Sequence, residues 1–254
     1  MMEESVLVSW LDRYSPPIRA SFRQRANKFV MRISFYADVL FEDLCPLGFR
    51  RAGEQQDRLD KDVLAIKHNI LLSLLASLTC LSEGLFLQSG AAIRCCIEDA
   101  LVLLDISENP KQLNLYLAGR YSAAGVLTRV KHSVPQEFLH WYGHYSANFA
   151  HFGPFHSAPY MPRACFPDNY VIGSGLENIL LATYAFHVVL ERSHFEQLPA
   201  SAFWKRTGEG QLCFQSENRF ADYVHRLQAE IEAEFNPDDR RGGFMYSQKG
   251  YRAK

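Results

Sequence analysis

Wherever apolar residues in this chain recur at a fixed spacing, the spacing is nearly always that of a helix, and convincing strand alternation is missing. In "SPPIRASFRQRANKFVMRISFYADVLFEDL" the residues Phe22, Ala26, Phe29, Ile33, Ala37 and Leu40 form one stripe, with Arg25, Lys28 and Arg32 to one side. Ser15 stands at a capping position, Pro16 and Pro17 fit a first turn, and Pro46 and Gly48 mark the end. A chain built this way buries its stripes helix on helix, so the expectation is an all-α, multi-helix antiparallel bundle.

The same reading places a short helix at Glu3 to Tyr14 and two long apolar ones at Leu59 to Phe86 and Gln88 to Ile106. The latter two form either a tight hairpin or one bent helix. Asn109-Pro110 opens a helix to about Lys131. Ser133 with Gln136 reads as a capping box for a helix running to about Phe152. An irregular stretch rich in Pro, Gly and aromatics follows, then helices over Gly175 to Leu198 and Ser216 to Phe235. Residues 1–58 are expected to pack on or beside a core of 59–198, with 199–235 a C-terminal helical extension and 236–254 a flexible tail.

Composition narrows the function classes. The 254 residues, 48% of them hydrophobic, suffice for a sizeable core. A net charge of −1 supplies no global pull toward nucleic acid or anionic membrane. The six cysteines contain no C-x-x-C, so the expectation is free thiols in a reducing cytosol, and the acidic N-terminus lacks a signal-peptide core. "NILLSLLASLTCLSEGLFL" nearly reaches the roughly 20 apolar residues of a bilayer span. Its serines, Glu83 and Gly84 make it read as a buried core helix instead, so the chain is expected to be cytoplasmic, with no membrane partner.

Two polar stripes are the candidate sites. Arg94, Glu98 and Asp105 fall within about 40° of one another on an otherwise apolar helix, either as a water-facing strip or as a polar groove. In "HWYGHYSANFAHFGPFHSAP" the aromatics Phe138, Tyr142, Tyr145 and Phe149 mark a core face. His140, His144, Asn148 and His151 share another, and His156 lies past the helix end. That second face fits solvent, a groove or a metal site.

Di-metal bundles use Glu-x-x-His pairs, and this chain has Glu137–His140 and Glu191–His194, with Glu83 and Glu98 as further carboxylates. A transition metal is therefore the alternative to no cofactor. G-x-S-x-G, P-loop and G-x-G-x-x-G motifs are absent. Cys95 and Cys96 sit among apolar residues that would raise a thiol pKa.

"GAAIRCCIEDALVLLDI" resembles the arginine-and-acid helix of HEPN-like helical bundles, whose members often pair R-S-x-x-E with Y-x-x-x-S…H on a later helix. Arg94 and Glu98 match the first part, and Tyr142, Ser146 and His151 resemble the second, with the Ser-to-His spacing one residue longer. The resemblance covers about Leu59 to Leu198. It implies a HEPN-like core with extra terminal helices, and RNA or a nucleotide as partner in a toxin or antiphage role. Members that cleave RNA without metal carry Arg-x4–6-His, which Arg219 to His225 matches, except that Phe220 follows the arginine where a polar residue is usual. There the histidine would act as acid or base and the arginine would hold the scissile phosphate.

The alternatives are a non-enzymatic interaction or dimerisation module, with "FGPFHSAPYMPRACF" as its surface and a second copy as partner, and a di-iron-type metal-binding bundle.

Overall fold

The computed structural model describes residues 12–13, 15–48, 56–147 and 169–235. Among these, eight α-helices pack around one core and carry a small two-stranded hairpin near the C-terminal end. They are α1 (Ser15–Asp43), α2 (Gln56–Ser82), α3 (Phe86–Glu108), α4 (Pro110–Leu117), α5 (Val126–Val130), α6 (Gln136–Tyr145), α7 (Asn169–Ser193) and α8 (Arg219–Phe235). The strands β1 (Trp204–Arg206) and β2 (Leu212–Phe214) pair antiparallel, with Trp204 opposite Phe214. The helix expected at Glu3 to Tyr14, apart from Asp12 and Arg13, and the tail lie outside the described residues, as does most of the irregular stretch after α6; its last residues, 169–174, are instead the first turns of α7.

α7 is the central post, because its apolar residues surround the helix instead of lining one stripe. It packs against α1, α2, α3 and α8. Gly175 lets α2 come close, since a Cβ there would collide with Leu81 of α2. α2 and α3 form the tight hairpin, turning through residues 83–85 and joined inside by the Ser77 and Ser89 hydroxyls at 2.8 Å. The single helix expected from Asn109 to Lys131 is two. Gly119, at φ +67°, ends α4, and the chain resumes as α5 only at Val126. The expected capping box is not formed: α6 starts after Pro135, with no side-chain cap.

Charged and polar side chains fasten the elements. Lys67, fully buried on α2, donates to the carbonyls of Leu44 (3.3 Å), Cys45 (3.2 Å) and Leu47, closing the C-terminal end of α1. Burial pulls its pKa down to about 8. Arg32 holds Glu230 of α8 and Lys28 holds Glu234 at 2.6 Å, so part of the basic strip expected on α1 is neutralised within the fold. At the other end Ser15 and Arg19 both reach Glu83.

α7 and α8 also bring like charges together. Burial, and next the facing Glu232, push Glu177 up to about 7. A carboxylate raised on folding is held protonated more tightly in the native state, so its burden on stability appears only as pH climbs through about 4.5 to 7. Glu177→Gln is therefore expected to be more stable than wild type by about 1–2 kcal/mol above pH ~8. The gain should vanish below about pH 4.5, as read by urea unfolding across that range.

Candidate functional site

The α1–α2 side of the bundle carries a small apolar groove of about 130 Å³ floored by Ile179 and Thr183 of α7. Val30, Ala37 and Phe41 of α1 form one wall, and Leu71, Leu75 and Leu78 of α2 form the other. It exists because α1 and α2 both pack on α7 but touch one another little. The apolar residues left over from their core stripes do not point inward. Met31 and Phe35 stand 61% and 69% exposed on α1, and Leu72 and Leu75 stand 58% and 55% exposed on α2.

α2 is long and apolar enough to cross a bilayer by length and composition, yet only 33% of its most apolar stretch is buried in the fold. The buried core helix expected there is buried on one side only.

Sequence reasoning missed this surface, although the signal was present. Met31 and Phe35 fall outside the α1 core stripe, and α2 is apolar around more of its circumference than one packing face needs.

The polar stripe on α3 divides. Arg94 pairs with Glu98 at 3.3 Å and lies over the Tyr142 ring, 5.8 Å from its centroid, so α3 and α6 bring Arg94, Glu98 and Tyr142 together. Both charged side chains keep about a quarter to a third of their surface exposed, and the buried Arg94 Nε finds no hydrogen-bond partner among the described residues. Ser146 is half-buried just past α6. His151 lies outside the described residues, as does His156.

Asp105 takes no part in that cluster. It is 1% exposed and accepts from Tyr121 Oη at 2.9 Å and Arg129 Nε at 2.8 Å. Arg129 also donates to the carbonyls of Ser122 and Ala124, so the network fixes the α4–α5 connection.

On α6 the core face consists of Phe138, Trp141 and Tyr145, with Tyr142 at its edge. His140 is exposed. His144 is half-buried edge-on to Tyr145, and burial lowers its pKa.

The metal candidates separate. Glu137 and His140 face solvent. Glu191 is committed elsewhere, accepting from Ser201 Oγ, the backbone N–H groups of Ala202 and Phe203 (each 2.9 Å at closest) and His187 Nε2 (3.3 Å). Burial works to raise its pKa, but the bonds from His187, Ser201 and Phe203 outweigh it and hold the carboxylate below its usual range. An ionised Glu191 makes Nε2 of His187 the donor, so Nδ1 accepts from Tyr36 Oη at 2.9 Å. His194 is buried, its Nδ1 3.3 Å from Gln197 Nε2, and burial with Lys67 nearby drives its pKa down to about 3. No three or more His, Cys, Asp or Glu side chains among the described residues gather to hold a metal ion.

Arg219 and His225 are both exposed on α8, about 120° apart around the helix, and Arg219 lies over Phe220. Cys96 is buried and its thiol pushed up by burial. Cys95 is exposed, with its pKa also raised. The sequence matches no family model, and no curated protein or solved structure matches it either.

Proposed function

We propose that this chain is a non-enzymatic interaction module whose working surface is the α1–α2 face. One observation carries the reading. Among the described residues, the exposed large apolar side chains Met31, Phe35, Leu64, Leu72 and Leu75 all belong to those two helices, and Leu75 lines the groove itself. Single exposed apolar residues are ordinary; a contiguous group flanking a concave apolar surface marks a docking site. An apolar fluorescent dye is expected to bind wild type at protein concentrations dilute enough to leave this face free. Filling the groove with Ala37→Trp should weaken it roughly tenfold, the loss of about 1.4 kcal/mol. Equal affinity in both proteins, with helical content unchanged, would remove the reading.

A second reading is favoured by the unpartnered Nε of Arg94. A HEPN-like core would use Arg94 and Tyr142, with Ser146 and His151, to hold an anionic group of RNA or a nucleotide, and Glu98 to orient Arg94. Arg94 supplies the charge and Tyr142 a ring against which a base stacks. Arg94→Ala is expected to abolish nucleotide binding by fluorescence anisotropy while costing under about 1 kcal/mol in stability. Undiminished binding in that variant would sink it.

A further inference from the structure

We propose that the α1–α2 face docks a second copy of this chain, with the two α1 helices antiparallel about Met31. This rests on reading that face as an interface, and the charge order along α1 carries it further. Every basic residue of α1 precedes its first acid, Asp38, and Glu42 and Asp43 complete the helix. A lone helix favours the reverse order, with acids toward its N-terminus and bases toward its C-terminus.

Part of the imbalance is met within the chain, at Arg19, Lys28 and Arg32. Arg23, Asp38 and Glu42 are exposed and form no ion pair among the described residues. Helical spacing sets Asn27, Met31, Phe35 and Asp38 along one outward strip, with Arg23 beside it on the groove side.

Two such strips laid antiparallel about Met31 bring Arg23 of each copy beside Asp38 of the other, about 11 Å on either side of the centre. Glu42 meets the region of Arg19 one turn further out. The pairing is isologous, as a two-fold dimer requires, whereas a parallel arrangement would set like charge on like. Met31, Phe35, Leu72 and Leu75 would leave water in the same step. A face two helices wide and as long as α1 offers roughly 20 Å by 40 Å, about 800 Å² per copy, the size of a standard stable interface.

Sedimentation velocity on the full chain, over roughly a 100-fold concentration range, tests this. Wild type is expected to dimerise. Phe35→Glu should weaken association at least roughly 100-fold, and Arg23→Glu or Asp38→Arg alone about tenfold, each with wild-type helical content. The double variant Arg23→Glu/Asp38→Arg restores opposite charges across the two-fold and should recover most of the loss, which no merely structural effect would do.

A wild-type monomer throughout overturns the second copy as occupant. If that monomer still binds the dye in a manner lost with Ala37→Trp, the interface reading survives alone; if it does not, both fall. A dimer indifferent to Phe35→Glu and to both charge reversals also overturns the proposal. So does a monomer that floats with phosphatidylcholine–phosphatidylserine vesicles through Phe35, which would make a lipid surface the occupant.

Discussion

Glu191→Ala is expected to destabilise the protein by about 3–5 kcal/mol, the cost of removing one partner from a buried charged network. The carboxylate accepts from His187, Ser201, Ala202 and Phe203, and the donors of the buried His187 and Phe203 would be left where water does not replace it. The effect should spread along the chain of bonds. Tyr36 of α1 holds the far side of His187, and the 201–203 turn positions Trp204, whose indole donates to the Val188 carbonyl at 2.9 Å. Glu191→Gln should recover only part of the loss, because its amide nitrogen would face donors. A carboxylate held below its usual range contributes stability above the unfolded pKa and loses it as pH falls through the folded one. The gap between wild type and Glu191→Ala, read by urea unfolding, should therefore narrow in acid.

Asp105→Ala is expected to cost about 2–4 kcal/mol. It strips the buried acceptor shared by Tyr121 and Arg129, although Arg129 keeps its carbonyl partners and some exposure to water. Amide exchange should accelerate most between residues 118 and 126, the connection that Arg129 ties down, and least in α2. Uniform acceleration across all helices would show that Asp105 supports the whole bundle instead.

The helical plan was legible because long amphipathic helices repeat their stripe many times. The α1 stripe from Phe22 to Leu40 is the buried face, except that Ala37 lines the groove wall. The hairpin was not legible, since strands of three residues are too short for alternation to register. Arg94 with Glu98 could be read from i,i+4 spacing. Asp105 shares their stripe on paper, yet a helix 23 residues long meets different neighbours at its two ends, α6 at one and the α4–α5 connection at the other.

The Glu-x-x-His pattern pairs Glu191 with His194, whereas its partner is His187, four residues earlier on the same polar seam of an apolar helix. Lys67 gave no signal, because its carbonyl partners come from a chain reversal about 20 residues away. The aromatic spacing puts Tyr142 on the core face. It lies at that face's edge, where Arg94 reaches it from another helix.

Whether Phe35 and Leu72 belong to an interface or to the packing of the fold itself is tested most directly by urea unfolding of wild type and Phe35→Glu/Leu72→Glu at two concentrations roughly 100-fold apart. For a second copy docked on this face, the wild-type midpoint should rise by about 0.5 M between them, while the variant's stays fixed near the wild-type value at low concentration. A variant that loses the same stability at both concentrations, beside a wild-type midpoint that does not move, would contradict it and return both side chains to the fold.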